Sequence, residues 1–202
     1  MKSILIYGDS NTYGEAAFHR RRLPYDDRWT SKLQKLLDQN TLDARVISEG
    51  LSGRIAGDYK QHDTHTNGLR HFEAIYRSHV PIDILIIALG TNDMQPKYKQ
   101  TAEMIFDNLM QYRDMVRSVA ADSSTMAPPH VVYLIPPLIH SREDYFIGDV
   151  SLIKKMTDGM KRAKELFIES GAISLSEDGV HISSEGHSEV AEKVYKKIRG
   201  LL

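Results

Sequence analysis

The 202-residue chain contains no cysteine. That excludes disulfides, thiol catalysis and zinc sites built on cysteine, and leaves the compartment open. It has no long hydrophobic run: nothing in it approaches the ~20 apolar residues needed to cross a bilayer. It has no excess of either charge, with 26 Lys plus Arg against 27 Asp plus Glu and a formal net charge of −1. That balance gives no electrostatic reason to expect nucleic acid or an anionic membrane as a partner. The amino-terminal MKSILIYGDS carries one lysine and the short apolar run SILIY, less than the ~7–15 residues of a signal-peptide core. The expectation is a cytoplasmic protein with no stable membrane association. Repeats, low-complexity tracts and linkers are also absent, so a single domain over residues 1–202 is expected. A chain of this length hides roughly 70% of its extended surface and needs no covalent or metal staple.

What is present is an alternation. Short apolar, β-branched runs stand at Ser3–Tyr7, Ala44–Ser48, Ile82–Leu89 and His130–Ile135, with a weaker one at Ala172–Leu175. Most are near-continuous rather than alternating, which suits strands covered on both faces. Between them lie segments with apolar residues at three- and four-residue steps. These are Trp29–Asn40, Thr101–Ala121, Val150–Ser170 (with Phe167 on its apolar face) and a last one from Ser183 to Gly200, while Gly68–His79 is a shorter candidate. Strands alternating with helices predict a parallel sheet with right-handed crossovers and helices on both faces, an α/β class. Ser123–Pro129 reads as a surface loop leading into the fourth strand.

Each run is followed by glycine and short polar residues: GDSNTYG, EGLSGRIAGD, GTNDM, PPLIH and SEDGVHISSEGH. Ligands of open α/β sheets sit beyond the carboxyl ends of the strands, so five distant loops are expected to meet at one rim. Ser10 is either a turn serine or a nucleophile there. Serine attack needs a base, a group that holds the base, and donors for the developing oxyanion. The D-x-x-H spacing of Asp178 and His181 lets a carboxylate curl back to the imidazole Nδ1 and turn the other ring nitrogen toward Ser10. Gly53 is a candidate backbone donor, and Asn92 offers a neutral side-chain amide.

GDSNTYG, EGLSGR, GTND and DGVH together resemble the four motif blocks of the SGNH hydrolases, also called the GDSL esterase/lipase family, in the family's order along the whole chain. DDRW (Asp26–Trp29) and EGLSGR are similar to the branch of bacterial arylesterases and acyltransferases. The resemblance implies a flavodoxin-like three-layer α/β/α sandwich with five parallel strands in order 2-1-3-4-5. It also implies a serine esterase of short acyl esters, with Ser10 as nucleophile, His181 as base and Asp178 as orienting acid. The N–H groups of Ser10 and Gly53 and the side chain of Asn92 would form the oxyanion hole. No metal and no organic cofactor is implied, the partner is a small-molecule ester, and a homo-oligomer is left open. Asn11, where the commonest form has leucine, reads as neutral variation. Transfer of the acyl group to another alcohol, a thioesterase, a carbohydrate O-acetylesterase and a non-catalytic small-ligand binding module are the alternatives. The G-x-S-x-G elbow is missing, which excludes the larger α/β-hydrolase architecture.

Other residues invite plainer explanations. His187 at the start of the last helix packs or caps more readily than it binds metal. His62 and His65 have no carboxylate pair placed to complete a metal site. Ser151 and Lys154 form S-x-x-K without the companion motifs of penicillin-binding proteins. Asp93 is expected to be a local hydrogen-bond acceptor, and Met156 and Met160 to be core. Arg54 can neutralise an acid, touch substrate or lie in solvent. The segments Gly57–Arg70 and His140–Asp149 are expected to shape the pocket.

Overall fold

The computed structural model describes residues 1–18, 21–122, 127–140, 146 and 148–202. In chain order the elements are β1 (Lys2–Gly8), α1 (Ser10–Tyr13), α2 (Trp29–Gln39), β2 (Ala44–Gly50), α3 (Gly68–His79), β3 (Ile84–Ala88), α4 (Ala102–Ala121), β4 (His130–Ile135), α5 (Val150–Ala163), β5 (Leu166–Glu169) and α6 (Ser184–Ile198). The strands pair in the order β2-β1-β3-β4-β5, and every pairing is parallel.

Successive side chains of a strand point to opposite faces, and here both faces are covered. Leu5, Tyr7, Leu85, Ile87, Val131 and Tyr133 pack against Phe72 and Tyr76 of α3, Ile105, Leu109 and Tyr112 of α4, and Met156 and Met160 of α5. Ile4, Ile6, Ile84, Ile86 and Val132 point the other way, onto Trp29, Leu33 and Leu37 of α2 and Val190, Val194 and Ile198 of α6. The near-continuous apolar runs are therefore two interleaved sets, one per layer. Side chains at the N-cap hold four of the helices, each accepting an N–H of the first turn: Asp9 from Asn11, Thr101 from Met104, Asp149 from Ser151 and Leu152, and Ser183 from Gly186.

One element lies elsewhere than its sequence pattern predicts. The fifth strand is Leu166–Glu169, within the segment expected to be the end of a helix, and Ala172–Leu175 is not a strand of the sheet. Lys164 adopts the left-handed conformation (φ 56°) and its N–H bonds back to Met160 and Lys161, which ends α5 at Ala163. Beyond it Ile168 packs into the α2/α6 layer and Phe167 against the opposite one, the two-residue period of a strand. A four-residue strand is too short for its periodicity to be separated from a helix by pattern alone. Residues 172–175 run past the sheet instead, and Leu175 forms a single antiparallel bridge with Ile182.

The carboxyl ends of β1, β2 and β3 are level: Gly8 pairs with Gly50 on one side and with Ala88 on the other. The loops that follow therefore leave the sheet at one height. Residues 123–126 of the expected surface loop Ser123–Pro129, and residues 141–145 and 147 of the expected pocket segment His140–Asp149, lie outside the described residues.

Candidate active site

β1 delivers Asp9, which caps α1 by accepting the Asn11 N–H at 3.0 Å. Ser10 is thus the first residue of a single helical turn set on the sheet edge. This close seat depends on Gly50, where a Cβ would lie 2.2 Å from the Tyr13 nitrogen. Asp9 is buried, and burial pushes its carboxyl up to about 6 against the hydrogen bonds from Asn11 and Thr91 that pull it down.

The loop before α6 brings Asp178 and His181 to Ser10. The antiparallel bridge of Leu175 with Ile182, and Ser176 N–H donating to His181 O at 2.7 Å, fold this loop into a narrow turn. In it one oxygen of Asp178 accepts the N–H of Val180 (3.0 Å) and of His181 (2.9 Å). The other lies 2.6 Å from His181 Nδ1, and His181 Nε2 lies 3.1 Å from Ser10 Oγ. Burial alone would raise the Asp178 pKa, but bonds from the imidazole and the two backbone N–H groups outweigh it and hold the carboxyl below its usual value. An ionised carboxylate only accepts, so Nδ1 carries a proton, and in the neutral ring this leaves Nε2 as the acceptor toward the Ser10 hydroxyl.

Across the cleft, Leu51–Arg54 is a turn closed by Arg54 N–H to Leu51 O at 3.1 Å. Gly53, its third residue, has φ 75°, the left-handed conformation that a type II turn assigns to glycine. Asn92, after β3, donates through Nδ2 to Arg54 O (3.1 Å) and accepts from Gln95 at Oδ1 (3.2 Å). Its second amide hydrogen has no partner in those contacts. Ser10, Gly53, Asn92 and His181 line one cavity of about 680 Å³.

Residues 6–188 match the sequence model of the GDSL-like lipase/acylhydrolase family. The chain belongs to this family. It is a carboxylic ester hydrolase. Among solved structures it is similar to Est24, a carbohydrate acetylesterase from Sinorhizobium meliloti, with 27% identity over 100% of both chains and a TM-score of 0.88. The native aryl esterase of M. smegmatis is 26% identical, again over 100% of both chains, with a TM-score of 0.88. A member of the lipolytic G-D-S-L family from Veillonella parvula DSM 2008 is 12% identical, covers 97% of each chain and shares the fold at a TM-score of 0.68. No curated protein matches the sequence.

In this GDSL-family hydrolase several residues act differently from what the sequence suggests. Asn11 is not neutral: buried, it accepts the Ile182 N–H at 2.9 Å and ties α1 to the His181 loop. Asp93 is an acceptor, but not a local one. Its two oxygens take the Ala56 N–H at 3.0 and 2.8 Å, and Oδ1 also takes the Tyr59 hydroxyl at 2.8 Å. Burial pushes its carboxyl up to about 6 although those bonds lower it. Arg54 does not lie in solvent. It is buried, donates to Gly8 O at 2.9 Å and to Glu49 O, and stacks 3.9 Å from the centroid of Tyr7. It thereby pins together the ends of β1 and β2.

His187 is a cap, as one of its two plain explanations has it. Arg28 offers α2 no side-chain cap, and the Trp29 N–H donates instead to His187 Nδ1 at 3.1 Å. Among the described residues no group of three or more His, Asp or Glu is arranged to hold a metal ion, and no helix is long and apolar enough to cross a membrane. His62 is exposed, and His65 lines the cavity with Lys60, Asp63 and Thr66 of the same segment. Lys154 pairs with Asp158 at 3.1 Å on the exposed face of α5. Met156 and Met160 are fully buried. Of the segment His140–Asp149, Phe146 stands in the cavity wall. Lys60 and Gln95 are the residues that sequence reasoning passed over. Each is a polar side chain in a loop or short turn, with no local pattern to set it apart.

Proposed function

We propose that this hydrolase works by acyl transfer through a covalent ester on Ser10. His181 Nε2 takes the hydroxyl proton as Ser10 Oγ bonds to the substrate carbonyl carbon, and the carbonyl π pair moves onto oxygen. That oxyanion accepts hydrogen bonds from the Ser10 N–H, the Gly53 N–H and the Asn92 amide. When the pair returns, the bond to the leaving alcohol breaks, and the imidazolium gives that alcohol its proton. A water, deprotonated by the same Nε2, then attacks the acyl-enzyme and frees the acid and Ser10. Asp178 keeps the ring in the tautomer that accepts at Nε2 and stabilises the imidazolium that forms.

The observation that carries this reading is the continuous relay of 3.1 Å from Ser10 Oγ to His181 Nε2 and 2.6 Å from His181 Nδ1 to Asp178. Its test is Ser10→Ala. Turnover of a short aryl acetate should fall by several orders of magnitude, and a fluorophosphonate should label wild type but not the variant. A protein that keeps its turnover, or that binds ester without ever turning it over, overturns it.

The cavity favours short acyl groups on a polar alcohol. Its wall sets Glu15, Lys60, Asp63, His65 and Lys97 beside Leu51, Phe146 and Val180, so an apolar part is available to the acyl group and a polar part suits hydroxyl-rich leaving groups. The likeness to a carbohydrate acetylesterase supports the same preference. Acetylated sugars should therefore be turned over with a higher kcat/KM than aryl esters of long fatty acids.

A further inference from the structure

Gly53 poses a problem for an oxyanion donor. The peptide that carries its N–H is the middle one of a four-residue turn, and glycine accepts either sign of φ. The donor can rotate out of the site unless the turn is held from outside, and electrostatic stabilisation works only with donors that do not reorganise. The flanking groups show what holds it. Arg54 O is taken by Asn92 Nδ2 at 3.1 Å, and Ile55 N–H donates to Thr66 O at 3.0 Å. Gly53 O itself accepts from Lys60 Nζ at 2.8 Å.

Lys60 is in turn built in. Its ammonium also donates to Thr66 Oγ1 at 2.8 Å, and that hydroxyl donates to Asp63 O at 2.8 Å. The side chain of Asn67, fully buried, clamps the Lys60 backbone from both sides, accepting its N–H at 3.0 Å and donating to its carbonyl at 2.9 Å. Among the described residues Lys60 forms no ion pair, and it lines the same cavity as Ser10 and His181. The hydrogen bonds of this ammonium run to neutral oxygens, so no carboxylate touches it directly, and its charge acts only at longer range on the buried Asp93.

We propose that Lys60 is a positioning residue for the reaction: it locks the Gly53 turn with its N–H facing the oxyanion and adds positive potential to the cavity wall. This rests on the serine-ester reading above. A merely structural lysine, its ammonium 5.3 Å from the Tyr98 ring centroid, would affect folding alone.

The test is Lys60→Met and Lys60→Arg in the full chain, with a short aryl acetate and a fluorophosphonate whose phosphoryl oxygen occupies the same hole. Removing an oxyanion donor outright costs roughly 10²–10³ in kcat, and loosening one should cost less. The expected result for Lys60→Met is a kcat about 10- to 100-fold lower, KM within about two-fold, and fluorophosphonate labelling slowed by the same factor as kcat. Lys60→Arg should recover most of the loss. A Met variant with wild-type kcat, or a loss confined to KM, overturns the proposal, and so does a loss that tracks falling Tm and is not relieved by arginine. Should Lys60→Met fail to fold, Thr66→Val removes the second acceptor of the same ammonium, and an unchanged kcat there overturns it equally. Failure of the parent reading is distinct, because it appears as persistent turnover in Ser10→Ala.

Discussion

Asn11 Oδ1 accepts the Ile182 N–H at 2.9 Å, one residue beyond the contact of Ser10 with His181, and each contact joins residues 171 apart in sequence. Two consecutive residues of α1 are thus stitched to two consecutive residues of the loop before α6. The distance between hydroxyl and imidazole is therefore set by a buried neighbour as well as by their own hydrogen bond.

Breaking that stitch should lower activity without touching a reacting atom. Asn11→Ala leaves the Ile182 N–H buried without its acceptor, a cost of about 1–3 kcal/mol. It should also reduce kcat roughly 10-fold, since small misplacements at reacting groups carry such penalties. Urea denaturation and steady-state kinetics of the folded variant measure the two effects separately. A variant that loses stability but keeps full kcat would reduce Asn11 to a packing residue.

Asp178→Asn tests the tautomer. The amide fits the same space, yet its NH₂ turned toward Nδ1 favours the ring form with the proton on Nε2, where it cannot accept from Ser10. A kcat lower by about 10⁴-fold with KM little changed is expected. A loss below ten-fold would mean that the imidazole does not depend on this carboxylate.

The oxyanion side separates donor from scaffold. Asn92→Ala should reduce kcat by roughly 10²–10³. Two glycine variants should then diverge. A Cβ at Gly53 has its nearest neighbour at 3.8 Å, so Gly53→Ala keeps its N–H and is strained chiefly by the positive φ, about 1–2 kcal/mol. A Cβ at Gly50 would lie 2.2 Å from the Tyr13 backbone and must displace the helix that carries Ser10. Gly50→Ala should accordingly be the less active of the two when both are assayed on the same ester.

His187 makes stability depend on pH. Burial, together with the Lys32 charge, lowers its pKa from 6.5 to about 4. The folded state therefore favours the neutral ring that accepts the Trp29 N–H. The contribution is complete above about pH 6.5 and is lost as pH falls toward 4, up to about 3 kcal/mol at 1.36 kcal/mol per unit. Asp9 and Asp93, raised from 3.8 to about 6, act with the opposite sign: their contribution is present below pH 4 and is lost as pH rises through 6. The difference between wild type and His187→Asn isolates the histidine. Denaturation midpoints from pH 7 to 4 should fall more steeply in wild type, and parallel curves would refute the assignment.

The alternation of apolar runs with amphipathic segments, and the glycine-flanked polar clusters behind the runs, determine the α/β class and which loops carry chemistry. Those signals are local. A strand covered on both faces must be apolar throughout, a helix must repeat near 3.6 residues, and D-x-x-H spacing is a property of one turn. Four motif blocks in order were enough to single out Ser10, Gly53, Asn92, Asp178 and His181 as residues to find together. Tertiary structure alone decided the rest. The pairing of Leu166–Glu169 with β4 and the packing of Phe167 and Ile168 on opposite layers show that the last strand precedes residue 170. The stitch of Asn11 to Ile182, the reach of Asp93 to a backbone 37 residues away and the cap of α2 by His187 join segments with no shared periodicity. Such a bond depends on where two separate stretches of backbone come to rest, and no pattern within either stretch encodes that.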